Sequence, residues 1–145
     1  MKSDRFIWIT VVLLFISNTP CVNAAEEKLV ILPTRPEVTQ PFLLIRPVDK
    51  PVASVVLFAG GHGRLELSPQ GIGWGSNNFL VRNRHRFALE GFWVALVDAP
   101  SDRPQGLWNF RTTVAHAEDI EHVIAELRRI GGVPVWLVGI SMGTV

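Results

Sequence analysis

The chain of 145 residues has one cysteine, no tyrosine and no marked excess of either charge. The cysteine, Cys21, lies in an N-terminal segment that we expect to be removed, which excludes disulfides and thiolate metal sites from the mature chain. From 14 basic and 13 acidic residues, loss of Lys2, Arg5 and Asp4 leaves 12 of each. This balance gives no reason to expect a nucleic acid or an anionic membrane as partner.

A long uninterrupted apolar run is found only at the N-terminus, over residues 6–16. A short basic stretch precedes it, and a polar stretch that ends at Ala24 follows. This pattern predicts a secretory signal peptide over 1–24 and an exported mature chain, periplasmic or secreted. The run is shorter than the ~20 residues of a spanning helix, although an uncleaved anchor is the alternative. Residues 18–20 lack the leucine and small residues of a lipobox, so we reject lipidation at Cys21.

The remaining residues, 25–145, are enough for one domain. Residues 25–40 predict an extended lead-in with a short strand at 29–32. Further strands are predicted over 42–46, 52–58, 92–97 and 133–138, and helices over 79–90 and from residue 112 or 113 to Gly131. Continuous apolar strands that alternate with helices are typical of an α/β fold, here a mostly parallel sheet with flanking helices.

Right-handed crossovers place the C-terminal ends of parallel strands on one edge of a sheet, where open α/β sheets bind ligands. Three features fall on that predicted edge. They are the glycine-rich loop over 60–63, Asp98 and Ser141. We therefore expect a ligand site at this edge.

Ser141 is the candidate nucleophile, because it is the serine of a G-x-S-x-G pattern over 139–143 that directly follows an apolar strand. Attack on a carbonyl creates an oxyanion that needs fixed donors about 3 Å away. One predicted donor is the N–H of Met142, and the other is the N–H of Gly61 or His62. The alternative is that the glycines of the 60–63 loop only form a tight turn.

Two further residues are candidate substrate contacts. Asp98 ends a strand on the active edge, although it also suits a role in capping or orienting the following loop. Trp74 is a candidate pocket wall, as is Trp108, whereas Trp93 and Trp136 are expected in core or loop packing.

The segments 57–63, 98–100 and 139–143 resemble the α/β-hydrolase superfamily in the part before its lid, over about residues 30–145. More narrowly, 78–82 with 98–103 is similar to a group of exported bacterial hydrolases with undefined substrates. The resemblance implies hydrolysis of an ester or related acyl bond through an acyl-enzyme at Ser141, without a cofactor. Such enzymes carry their acid and histidine after the serine.

Neither residue follows Ser141 here, so we expect the N-terminal part of a hydrolase, truncated after the nucleophile elbow and inactive by itself. The alternative is a non-catalytic remnant or binding module. Of the upstream histidines, His62 belongs to the oxyanion loop and is a poor base. His85 is expected on a solvated helix face, and His116 and His122 in surface or packing positions.

A dinucleotide-binding protein is a weaker alternative. No helix opens directly at the 60–63 glycines, and Asp98 lies about 35 residues further on rather than about 20. No Gly-Lys-Ser/Thr follows the glycines, which excludes a phosphate loop. No two histidines have metal-ligand spacing beside a carboxylate, so we expect no metal.

Overall fold

The computed structural model describes residues 25–145, and the signal peptide and possible anchor predicted over 1–24 lie outside them. The described residues form a five-stranded sheet with two helices and a small hairpin. In chain order the elements are β1 (Glu27–Arg35), β2 (Val38–Ile45), β3 (Ala53–Phe58), β4 (Leu67–Ser68), β5 (Gly71–Ile72), α1 (Phe79–Leu89), β6 (Phe92–Val97), α2 (Val114–Gly131), β7 (Val135–Gly139) and a 3-10 helix (Ser141–Thr144).

The sheet has the strand order β1-β2-β6-β3-β7 and is mixed. Strands β6, β3 and β7 are parallel, whereas β1 and β2 are antiparallel to their neighbours. Every residue of β3 is buried, as expected for a central strand with both faces covered. The predicted α/β class is confirmed, with three adjacent parallel strands, β6, β3 and β7, and two antiparallel strands beside them.

The two helices cover opposite faces of the sheet. Leu80, Val81 and Ala88 of α1 pack in one core cluster with alternate residues of β3, including Val55 and Leu57. The apolar stripe of α2 packs in a second cluster with the other face of β3. Because successive strand residues point to opposite faces, a single buried strand joins both cores.

The ends of the helices follow their capping residues. The side chain of Asn78 accepts a hydrogen bond from Leu80 N–H at 3.1 Å at the start of α1. Thr113 caps α2 in the same way, through the N–H of His116. Gly131, predicted as the stop, is the last residue of α2, and the left-handed cap is Gly132.

The prediction for 25–40 is right in part. The short strand predicted at 29–32 lies within β1, but β1 is longer, over Glu27–Arg35, and forms a β-hairpin with β2 in place of an unpaired lead-in. Strands β1 and β2 pair from Glu27↔Ile45 onward. Proline argued against strands here, since it cannot donate to a ladder. Pro33 lies on an edge strand, where the missing N–H is tolerated. Pro41 lies in β2 just before the stretch that pairs with β6, which begins at Phe42.

An ion-pair network fastens this hairpin to α2. The Arg35 guanidinium donates to both oxygens of Asp119 at 2.9 Å and also pairs with Asp102. The Asp119 side chain is fully buried and accepts a further hydrogen bond from Thr34. A buried carboxylate is tolerated when it is paired and hydrogen-bonded in this way.

Strand β7 is an edge strand of the described sheet and pairs only with β3. Its residues Trp136 and Leu137 are 63% and 55% exposed. The expectation that Trp136 packs in the core or a loop is therefore wrong. Neighbouring strand residues point to opposite faces, so both faces of the sheet are open beside β7.

Candidate active site

The three parallel strands end at the same level. Phe58, the last residue of β3, pairs with Val97 of β6 and with Gly139 of β7. Ala59, Asp98 and Ile140 therefore emerge side by side from one edge of the sheet. This geometry confirms the predicted convergence of the glycine-rich loop, Asp98 and Ser141.

Ser141 stands at a strained turn between β7 and the 3-10 helix. Its φ is 55°, in the left-handed region, directly after the extended residue Ile140. A non-glycine residue there costs roughly 1–2 kcal/mol, and such strain is often found at functional sites. The hydroxyl of Thr144 donates to the carbonyl of Ser141 at 2.7 Å, and the Ser141 side chain is exposed. The conformation is the one expected for the serine of a G-x-S-x-G turn, and the role of Ser141 as a nucleophile stays a prediction.

The flanking glycines make this turn possible because their side-chain positions are already occupied by backbone. A Cβ on Gly139 would overlap the carbonyl of Gly143. A Cβ on Gly143 would overlap the carbonyl of Phe58 at the end of β3. The two glycines of the G-x-S-x-G pattern are therefore required by packing. Gly139 and Gly143 pack against each other, and Gly143 also packs against the end of β3.

The glycine-rich loop after β3 touches this elbow. A Cβ on Gly60 would lie 3.2 Å from Ser141 Cβ and 3.0 Å from Ile140 O. Within residues 25–145, the N–H groups of Gly61, His62 and Met142 donate to no other protein group. Unpaired donors beside a serine suit an oxyanion hole, and the assignment of these three N–H groups stays a prediction.

A second loop braces the glycine-rich loop from behind. The N–H of Leu107 donates to His62 O at 2.7 Å. The Arg111 guanidinium donates to Ala59 O at 3.0 Å and to Gly61 O at 3.3 Å. Burial lowers the pKa of Arg111. This role could not be predicted from the sequence, because Arg111 is about fifty residues from the carbonyls that it binds.

Asp98 holds the same loop further along. Its side chain is buried, and its carboxylate accepts the N–H groups of Leu65 at 2.5 Å, Leu67 at 2.8 Å and Ala99 at 2.7 Å. Both carboxylate oxygens are therefore engaged by backbone. This geometry favours orienting a loop over contacting a substrate. The loop that Asp98 mainly orients is the one after β3, however, and only the Ala99 N–H belongs to the following loop named in the expectation.

A polar cavity of about 380 Å³ opens beside the glycine-rich loop. Trp74 lines it and stacks against the His62 ring, with ring centroids 3.9 Å apart. Trp108 is exposed and lies edge-on to His62. The position of Trp74 suits a pocket wall, and its contact with a substrate stays a prediction.

Asn78 also lines this cavity, in addition to capping α1. Its Oδ1 accepts the Leu80 N–H, so the other side of the amide is the Nδ2 donor. A Cβ on Gly60 would lie 3.5 Å from Asn78 Nδ2 and 3.2 Å from Ser141 Cβ. The Asn78 amide and Ser141 therefore both lie beside Gly60. Capping signals predicted the first role of Asn78, but its position near Ser141 depends on contacts distant in sequence.

The histidines provide no evident base. His116 is buried, its Nδ1 is 3.2 Å from Arg111 O, and burial lowers its pKa. His85 Nε2 lies 3.1 Å from a carboxylate oxygen of Glu27, and His122 is exposed on α2. In the part of the chain that the structure describes, the Ser141 hydroxyl forms no hydrogen bond with a histidine.

The same part of the chain holds no cluster of three or more His, Cys, Asp or Glu side chains arranged for a metal ion. None of its helices has the length and apolarity needed to cross a bilayer.

The strand order, the crossover helices and the elbow define the α/β-hydrolase fold. Two solved structures share it. An acylaminoacyl peptidase of Pyrococcus horikoshii has a TM-score of 0.58 and 16% identity, over 85% of this chain and 20% of its own. A brefeldin A esterase, a bacterial homologue of human hormone-sensitive lipase, has a TM-score of 0.56 and 17% identity, over 92% of this chain and 36% of its own.

At this identity the two likenesses show the fold alone, and the chain spans between a fifth and about a third of the length of these structures. No protein-family model matches the chain, and no curated protein matches it in sequence.

Proposed function

We propose that residues 25–145 form the nucleophile and oxyanion half of a serine hydrolase that cleaves an ester or related acyl bond. The observation that carries the proposal is the left-handed Ser141, exposed at the active edge and in contact with the glycine-rich loop. A serine in this conformation after a buried strand presents its hydroxyl above the sheet.

In the proposed reaction, Ser141 Oγ attacks the substrate carbonyl carbon while a base takes the hydroxyl proton. The carbonyl oxygen becomes an oxyanion, stabilised by the N–H of Met142 and by the N–H of Gly61 or His62. Collapse of the intermediate breaks the acyl bond, and the leaving group takes the proton from the base. Water then hydrolyses the acyl-enzyme in the same two stages.

The base and its acidic partner would lie outside residues 25–145. Of the described histidines, His116 is buried and His85 lies beside Glu27. Neither His62 nor His122 forms a hydrogen bond with Ser141, so residues 25–145 alone would turn substrate over slowly or not at all. Binding and oxyanion stabilisation retain some rate when triad members are missing. The substrate would be a small acyl compound that reaches the cavity beside Trp74. We further propose export of the protein, in line with the signal peptide predicted over 1–24.

Hydrolysis of short-chain nitrophenyl esters by the native protein tests this function. Ser141→Ala should lower kcat/KM by roughly a thousandfold or more. Ser68→Ala is the matched control, because its hydroxyl only bonds within the small β4–β5 turn. Equal activity of Ser141→Ala and the control would contradict the proposed nucleophile.

One observation favours a second function, a non-catalytic binding module. Within 25–145 no base is bonded to Ser141, while the cavity beside Trp74 is formed. That function predicts that a non-hydrolysable ester analogue changes the tryptophan fluorescence equally in the native protein and in Ser141→Ala, with no turnover in either. Turnover by the native protein would exclude it.

A further inference from the structure

Arg111 is a buried cation directly behind the glycine-rich loop. Arg111 is 9% exposed, and no carboxylate among residues 25–145 forms a salt bridge with its guanidinium. Gly63 leaves space for it, because a Cβ there would overlap Arg111 Nη2. The partners of the guanidinium are the carbonyls of Ala59 and Gly61.

These hydrogen bonds determine which way the loop presents its N–H groups. The described peptide bonds are all trans, so the C=O and N–H of one peptide unit point in opposite directions. Because the Gly61 carbonyl points at Arg111, the His62 N–H points away from it. Gly61 lines the cavity beside the glycine-rich loop, and the preceding residue Gly60 lies against Ser141.

We propose that Arg111 is a positioning residue that fixes the Gly61–His62 peptide and thereby makes the His62 N–H, rather than that of Gly61, the second oxyanion donor. This inference rests on the proposed function. A cation on the carbonyl also polarises the peptide unit, which strengthens its N–H as a donor.

The absence of a carboxylate partner supports an electrostatic role. A buried cation is costly to desolvate, and burial lowers the pKa of Arg111 accordingly. The negative charge that would complement it develops only on the oxyanion of the reaction, on the other side of the same peptide. A positive charge fixed before the reaction stabilises that oxyanion without rearrangement.

The test is the rate at which a fluorophosphonate labels Ser141 in the native protein, since the phosphonyl oxygen occupies the oxyanion position. Arg111→Met should lower this rate by about 10- to 100-fold, somewhat less than loss of a whole oxyanion donor. Arg64→Met is the matched control, a half-exposed arginine directly after the glycine-rich loop that pairs with Glu66 at 3.4 Å. Its rate should stay within about twofold of the native value.

Arg111→Lys separates positioning by charge from simple bracing. Burial lowers the pKa of a lysine, whereas arginine stays charged. The labelling rate of Arg111→Lys relative to the native protein should therefore fall as the pH rises from 7 to 10. His116, the titratable neighbour, stays neutral over this range because burial lowers its pKa. A brace without an electrostatic role would give a ratio independent of pH.

The outcomes distinguish the inference from the function on which it rests. Failure of the folded native protein to label at Ser141 would overturn both. Labelling of the native protein together with native rates in Arg111→Met and Arg111→Lys would overturn the inference alone. If Arg111→Met does not fold, the pH dependence of Arg111→Lys decides.

Discussion

Gly143→Ala should strongly destabilise the native protein, because the space for the new methyl group is occupied by backbone. The added Cβ would overlap the carbonyl of Phe58 and lie 3.1 Å from Ala59 O. Backbone atoms cannot rotate away as a side chain can, so relief requires separation of the elbow from the end of β3. Overpacking costs about 1–3 kcal/mol, and we expect the upper end of that range.

The control is Gly132→Ala at the C-terminal end of α2. Gly132 has φ 61° with nothing within 4 Å of its Cβ position, so its substitution carries conformational strain alone, roughly 1 kcal/mol. Urea denaturation of both variants measures the difference. The reasoning predicts a clearly larger loss of unfolding free energy for Gly143→Ala. It is refuted if Gly143→Ala is as stable as Gly132→Ala.

Three further substitutions test separate parts of the structure. Asp119→Ala should cost about 1–3 kcal/mol by urea denaturation, because it leaves the buried Thr34 hydroxyl without its acceptor and removes one of the two carboxylates that pair with Arg35; a loss under about 0.5 kcal/mol would contradict this. Burial lowers the pKa of His116 in the folded state, so the unfolding free energy of the native protein should fall as the pH drops below about 6.5, where the histidine of the unfolded chain takes up a proton. His116→Gln should remove this part of the acid sensitivity of stability. An unchanged dependence of stability on pH in the variant would contradict it. Asn78→Asp retains the oxygen that caps α1 but replaces Nδ2 with a carboxylate oxygen near Ser141. The melting temperature should therefore stay the same, while fluorophosphonate labelling of Ser141 slows about tenfold. An unchanged labelling rate would show that Asn78 does not face the reacting oxygen.

Elements with a strong local signal could be predicted from the sequence. Strand β6 was predicted over 92–97 and is found there, because its run is apolar throughout and is bounded by Gly91 and Asp98. The hairpin over 27–45 was predicted only as short strands at 29–32 and 42–46, because its prolines suppress a local strand signal. A strand tolerates a proline where the missing N–H would have no partner. Which positions of β1 and β2 lack a partner depends on how all the strands of the sheet are arranged.

The candidate site likewise has one part that the local sequence predicts and another that depends on distant contacts. The elbow could be predicted because its pattern lies within five consecutive residues and the strand before them, although the packing of Gly143 against Phe58 of β3 could not. The roles of Arg111 and Asn78 could not, because each depends on the distance between the loop after β3 and a segment far along the chain. The exposure of Trp136 likewise depends on what lies beside β7, which its own sequence does not encode.

Attack by Ser141 is the central claim, and intact-mass spectrometry of the native protein before and after fluorophosphonate treatment tests it most directly. The account predicts one adduct, located at Ser141 by peptide mapping and absent from Ser141→Ala. A folded native protein that acquires no adduct at Ser141 would contradict it.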